Sequence, residues 1–136
     1  MKLYFFRGQN PNFGDELNPW MWPQLLSGLF DDDDSSLFLG IGSILYDHFP
    51  ERALKVVVGA GYGGYTAAPN VHKGRWQIYF VRGPQTAEVL GLDPRLAICD
   101  AAVLLRTLPL PAPMEPGRIS FMPHYRSMDL GVWHHV

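Results

Sequence analysis

Arg82 is the residue of this 136-residue chain whose type and setting point most directly to chemistry. It closes the apolar run Ile78-Tyr79-Phe80-Val81 and precedes Gly83-Pro84, a well-marked helix start. A guanidinium beside exposed helix N–H groups binds phosphate or carboxylate oxygens in pairs, because its planar fork matches their geometry. A surface ion pair accounts for such an arginine about as well; its place at a strand end favours the anion. Asn12-Phe13-Gly14-Asp15 is a second constellation. Asn12 can donate and accept, Gly14 allows close backbone approach, and Asp15 can cap a helix or orient a substrate hydroxyl. A turn followed by a cap explains Gly14 and Asp15 without any ligand. Gly40-Ile41-Gly42-Ser43 is the third. Gly40 and Gly42 leave backbone N–H groups unobstructed and Ser43 can cap a short helix or bond a ligand, although tight packing alone would also ask for the glycines.

Other patterns carry less. Gly59-Ala60-Gly61-Tyr62-Gly63-Gly64 follows an apolar run and satisfies G-x-G-x-x-G. A dinucleotide site also needs a helix to receive the pyrophosphate and an acid about 20 residues on for the ribose. Tyr65-Thr66-Ala67-Ala68-Pro69-Asn70 has no helical period and positions 78–84 hold no acid, so the segment reads as a flexible loop at a strand end. The run Asp31–Asp34 lacks the alternating ligand pattern of a calcium site and reads as a solvated loop; no metal is expected. Cys99 has no partner cysteine, and no Ser-His-Asp or Cys-His set is argued by spacing.

The elements that must position these residues are short. Leu3–Phe6, Leu37–Ile41, Lys55–Val58, Gln77–Val81 and Leu96–Cys99 read as five strands, mostly as continuous apolar runs expected of strands covered on both faces. A helix is expected over Pro84–Leu90, with Pro84 at its first position, Gly91 ending it and Pro94 preventing its resumption. Another lies within Asp15–Ser27, kinked or starting late because of Pro19 and Pro23, and a third of about one and a half turns spans Ser43–His48. Strands ending repeatedly in turns or helix starts indicate an α/β fold with an open parallel sheet, in which loops at the carboxyl ends of strands face the ligand crevice.

Length and composition bound the rest. One domain with a real core fits in 136 residues, and 47% hydrophobic against 18% charged residues is globular. The formal charge of −2 excludes a generally basic nucleic-acid binder. Residues 1–50 carry 2 basic and 7 acidic groups and residues 51–136 carry 9 basic and 6 acidic, so the later part is expected to supply cations for any anion. No segment approaches the roughly 20 apolar residues of a membrane span, and a cytoplasmic protein is the default. From Thr107 to Gly117 proline alternates with other residues, as in an extended linker. Three parts are expected: a domain over 1–106, the linker over 107–117, and the opening of an incomplete second domain over 118–136. Ile119, Phe121, Met122 and Trp133 would then be unsupported, favouring self-association or disorder beyond about residue 107. His124, Tyr125, Arg126 and Asp129 could face an interdomain cleft.

The ordered set Asn12-Phe13-Gly14-Asp15, Gly40-Ile41-Gly42-Ser43, Val58-Gly59-Ala60-Gly61, Tyr79-Phe80-Val81-Arg82-Gly83-Pro84-Gln85-Thr86 and Asp100-Ala101-Ala102 resembles the polysaccharide pyruvyl transferase family. The resemblance runs over nearly residues 3–124. It implies two Rossmann-like domains facing across a cleft, as in GT-B glycosyltransferases, with this chain as the N-terminal half. It implies transfer of a pyruvyl group from phosphoenolpyruvate to sugar hydroxyls, as a ketal, in cell-surface or exported polysaccharides. The partners implied are phosphoenolpyruvate and a saccharide acceptor, with no organic cofactor. Arg82 carries over as a ligand for phosphoenolpyruvate oxygens. Asn12, Gly14 and Asp15, with Gly42 and Ser43, fall on the acceptor side. The family's Arg-Leu-His motif, its acid/base and second anion ligand, has no counterpart here, and His124 does not match it. The acid/base is therefore unassigned. The rivals are a nucleotide-sugar glycosyltransferase of similar architecture and a non-enzymatic binding or interaction module.

Overall fold

The computed structural model describes residues 1–8 and 12–110, together with 112, 117 and 119. Four strands, β1 (Lys2–Tyr4), β2 (Ser36–Leu39), β3 (Leu54–Val58) and β4 (Arg75–Phe80), form one sheet in that order, every pair parallel. Helix α1 (Phe13–Leu25) crosses from β1 to β2, and α2 (Pro84–Val89) follows β4. The fold is thus the open parallel α/β sheet expected from the sequence. Alternation along β2 and β3 divides the core in two. Leu37, Leu39 and Val57 join Ile44, Leu45, Ala87 and Leu90 on the α2 side. Phe38 and Val56 join Leu17, Met21 and Trp22 of α1 on the other.

Three expectations are corrected. Leu96–Cys99 is not a strand: Asp93 caps a 3-10 turn over Pro94–Leu96 and Asp100 caps a 3-10 helix over Ala101–Thr107. Only Ala97 is left to pair, through a parallel bridge to Val81. Ser43–His48 is not a helix, because its backbone straps the exit of β3. Gly61 N–H donates to the Gly42 carbonyl (2.9 Å) and Leu45 N–H to the Gly61 carbonyl (3.2 Å), and both Ile44 and Leu45 are buried. Finally, β4 is covered on one face only. Arg75, Gln77 and Tyr79 are exposed, Tyr79 by 56%. The strand alternates as a half-solvated one does.

Helix α1 starts earlier than its prolines suggested. Asn12 is the N-cap, its side-chain oxygen accepting from Gly14 N–H at 3.2 Å, and the helix runs through Pro19 and Pro23 to Leu25. Pro19 has no N–H for the Asp15 carbonyl four residues back; Asn18 Nδ2 donates to it instead at 3.1 Å. Asn18 is fully buried and joins two elements. Its Nδ2 also donates to the Ile41 carbonyl (3.0 Å), while its Oδ1 accepts from Ile41 N–H (2.9 Å) and Trp22 Nε1–H (3.0 Å). The Trp22 indole so fixed occupies the space a Cβ on Gly40 would need.

Helix α2 lies within a residue of expectation. Gly91 adopts φ +63° after it, and Leu92 N–H closes the end on the Ala87 carbonyl at 2.9 Å. A second buried polar residue, Lys55, sits near the amino end of β3. It is 1% exposed and donates to the Pro50 (3.2 Å) and Glu51 (3.3 Å) carbonyls, with Trp76 5.0 Å from its nitrogen. Burial lowers its pKa, partly offset by Glu51. The Asp31–Asp34 loop is spent on local structure: Asp31 pairs with the Met1 amino group at 2.6 Å, and Asp33 accepts from Ser35 N–H.

Packing of the 3-10 helix onto the α1 layer continues to Leu108. The expected linker lies partly, and the second-domain strand Arg118–His124 with Tyr125, Arg126, Asp129 and Trp133 almost wholly, outside the described residues; Ile119 is described and is 96% exposed. Among the described residues no helix is long and apolar enough to cross a membrane.

Asn18→Ala leaves the Ile41 N–H and carbonyl and the Trp22 indole N–H without partners in the core. At about 1–3 kcal/mol per stranded group, and less than additively, urea unfolding is expected to show a loss of about 2–4 kcal/mol. A loss below about 1 kcal/mol would show that the helix is held to β2 by apolar packing alone.

Candidate functional site

The carboxyl ends of β2, β3 and β4 keep pairing beyond their last sheet residues. Gly42 is bonded to Gly61 as above, and Arg82 N–H donates to the Ala60 carbonyl at 3.1 Å. Three strand exits are therefore sutured side by side. Their loops and the exposed face of α2 enclose a cleft of about 640 Å³. Ser43 comes from the β2 exit, Tyr62, Gly63, Gly64 and Tyr65 from the β3 exit, and Arg82 from the β4 exit. Helix α2 adds Gln85, Glu88 and Val89.

Arg82 and Ser43, 39 residues apart in sequence, meet here: Nη1 donates to Ser43 Oγ at 2.8 Å. Gly61 makes the contact possible. A Cβ there would lie 2.5 Å from the Arg82 Cζ and Nε atoms. The guanidinium therefore rests against bare backbone on one side, is held by a hydroxyl at one nitrogen, and belongs to the lining of the cleft. Such a group binds a carboxylate or phosphate edge-on. Among the described residues lining the cleft, Arg82 is the one cation and Glu88 the one carboxylate. Helix α2 has only six residues and no side-chain cap, so its dipole adds little to the field in the cleft.

The Tyr62–Tyr65 loop is anchored at one end. Tyr62 N–H donates to the buried Thr86 Oγ1 of α2 (3.2 Å), and the Tyr62 hydroxyl donates to the Thr66 carbonyl (2.6 Å). No helix follows Gly64, in keeping with the reading that set the dinucleotide motif aside.

The first-loop residues lie beside the cleft rather than in its lining. Asn12 is occupied as the cap and donates through Nδ2 to Asp15 Oδ2 at 3.0 Å. Gly14 lies in the first turn of α1, and a Cβ there would approach only Asn12 Oδ1, at 3.8 Å. Asp15 Oδ1 points toward Gly42, whose φ of +120° and 3.2 Å spacing from that oxygen to a would-be Cβ both call for glycine. Asp15 also acts across the same region on Tyr46, whose pKa is raised by burial and then by the charges of Tyr4, Asp15 and Tyr65. The pKa of Asp15 itself is raised, first by burial and further by Glu16, against the lowering effect of the Asn12 amide.

Sequence reasoning missed Asn18 and most of the cleft's walls. The signals were there in part. An asparagine between Leu17 and Met21 breaks an apolar stripe, and Gln85, Glu88 and Val89 share one helix face at i, i+3, i+4 spacing.

Comparison with known proteins gives this geometry a setting. Over 135 residues the chain is 37% identical to the succinoglycan biosynthesis protein ExoV of Rhizobium meliloti (strain 1021). The chain is related to a polysaccharide-biosynthesis protein. The match takes in 98% of this chain and 43% of that protein, so the chain spans less than half the length of the relative. No family model and no solved structure matches.

Asp15→Asn keeps the hydrogen bond from Asn12 and removes a half-buried charge. Because the folded-state pKa lies above the ordinary 3.8, the proton Asp15 retains stabilises the fold fully below that value. That contribution is lost as pH rises through the folded pKa. Urea unfolding from about pH 3 to about pH 7 should therefore show the variant gaining on the parent as pH rises, with the gain levelling off above the folded pKa. A difference independent of pH would mean that Asp15 titrates as a solvated carboxylate.

Proposed function

We propose that this chain forms the anion-holding half of a polysaccharide pyruvyl transferase. Arg82, steadied by Ser43, grips the carboxylate or phosphate of phosphoenolpyruvate at the floor of the cleft. The observation that carries this reading is the Arg82–Ser43 pair at 2.8 Å in the lining of a cleft at the strand exits. The relation to a succinoglycan biosynthesis protein supports a saccharide as the other substrate.

In the reaction proposed, the enol CH2 carbon of phosphoenolpyruvate takes a proton and becomes the methyl group. One sugar hydroxyl adds to the neighbouring carbon and loses its proton; a second hydroxyl then displaces the phosphate group there. The products are the pyruvyl ketal and inorganic phosphate. Guanidinium donors fixed before the substrate arrives stabilise the charge that moves onto the departing phosphate without reorganising at that moment. Protonation of carbon needs a positioned acid. That acid belongs, in this proposal, to a second Rossmann-like domain facing the cleft, the GT-B-like arrangement that the resemblance implies.

Titration calorimetry with phosphoenolpyruvate tests the anion half directly. Arg82→Ala should weaken binding by about 10–100-fold, the range of a charge-assisted hydrogen-bonded contact, and Arg82→Lys by less. Gly61→Ala, which pushes the guanidinium off its seat, should weaken it several-fold with Arg82 still present. Equal affinity in Arg82→Ala and the parent would falsify the assignment. Binding of a nucleotide-sugar in place of phosphoenolpyruvate would move the chain to the glycosyltransferases.

A further inference from the structure

The cleft is lined by groups of two chemical kinds, and only one suits an anion. Arg82, held by Ser43, is the cation. Glu88, exposed on α2, repels carboxylates and phosphates. The rest of the lining is of another kind. Gln85 offers an amide that both donates and accepts, Glu88 a pure acceptor, Val89 an exposed aliphatic surface, and Tyr65 a ring that is 61% exposed. Gln85, Glu88 and Val89 lie one helical turn apart on the same face of α2, so amide, carboxylate and methyl groups stand together.

The tyrosine ring is placed by the backbone beneath it. A Cβ on Gly63 would lie 2.6 Å from the Tyr65 ring and 2.7 Å from Ser43 Cβ. The edge of the ring thus occupies space that a side chain at position 63 would need, beside the serine that also holds Arg82. An apolar ring, one amide and one carboxylate form a surface for a neutral, hydroxyl-rich ring with apolar C–H faces.

We propose that Tyr65, Gln85, Glu88 and Val89 form the saccharide subsite, with one sugar ring stacked on Tyr65 and its hydroxyls bonded to Gln85 and Glu88. This rests on the pyruvyl-transfer reading for the identity of the saccharide. It moves the acceptor away from Asn12 and Asp15, where the sequence resemblance put it, to the α2 wall. Ser43 is then the junction: its hydroxyl faces the anion's guanidinium and its Cβ the floor beneath the stacked ring. The sugar hydroxyls that react are those carried past Ser43 toward Arg82.

The test uses the 136-residue chain, 15N-labelled, titrated with oligosaccharides from depolymerised succinoglycan, alone and with saturating phosphoenolpyruvate. Amide shifts should concentrate at Gly63–Tyr65 and Gln85–Val89, and both ligands should bind at once. Tyr65→Ala and Glu88→Gln, both changes at exposed positions, should each weaken the oligosaccharide at least fivefold, and neither should weaken phosphoenolpyruvate. Tyr79→Ala, an exposed aromatic outside the cleft, should change neither. Shifts centred on Asn12 and Asp15, competition between the two ligands, full saccharide affinity in both variants, or no saccharide-dependent shift at millimolar ligand would each overturn the assignment. Arg82→Ala separates the two proposals. If it leaves phosphoenolpyruvate binding intact while Tyr65→Ala still weakens the oligosaccharide, the anion reading fails and the saccharide subsite stands.

Discussion

The buried amide of Asn18 is the constraint on which the rest of the arrangement depends. Four hydrogen bonds leave one side chain: one repairs the gap that Pro19 opens in α1, two hold Ile41, and one holds the Trp22 indole. Every donor and acceptor of the amide is used, so the contact tolerates almost no shift of the helix along β2. Ile41 leads into Gly42 and Ser43, and Gly42 is bonded to Gly61. A single polar group in an apolar layer therefore sets the height of the β2 exit, and with it the point at which Ser43 meets Arg82. Apolar packing supplies much of the cohesion, but it is non-directional and could not fix that height.

Above that anchor, the site is built by removing side chains as much as by adding them. Gly61 yields its Cβ space to a guanidinium and Gly63 to a tyrosine ring. Both glycines come from the segment that satisfies a dinucleotide pattern, yet neither meets a phosphate-binding helix. The physical need they meet is proximity between side chains from neighbouring strand exits. Loop Tyr62–Thr66 is bound to α2 through Thr86, which ties the two walls of the cleft together at that point. This gives Arg82 a preorganised setting, in which donors are oriented before any ligand enters.

Much of the fold was legible in the chain. Four of five apolar runs became strands within two residues of their expected ends, and α2 fell where Gly83-Pro84 and Gly91 placed it. The errors share a cause. Leu96–Cys99 has strand composition, but two aspartate caps take its flanks for 3-10 turns. Ser43–His48 reads as a short helix, but its Leu45 N–H is claimed by the neighbouring strand exit at Gly61. In α1 the prolines counted against an early start, and Asn18 compensates one of them with a side chain. In the first two cases specific hydrogen bonds overrode propensities worth less than about 1 kcal/mol per residue, and in the third a side-chain bond offsets part of the roughly 3 kcal/mol that a helical proline costs.

What the sequence determined by itself was periodic and local: which runs are apolar, where α2 begins and stops, and that an arginine closes the fourth strand. Periodicity assigns a residue to a face and an end of its own element, and no more. Tertiary structure decided that Arg82 reaches Ser43 across 39 residues, that Asp15 is turned to Gly42 rather than into the cleft lining, and that Tyr65 lies over Gly63. Those outcomes depend on strand order and on the height of each strand exit. Both are fixed by contacts between residues distant in the chain, among which the buried asparagine amide is the most directional.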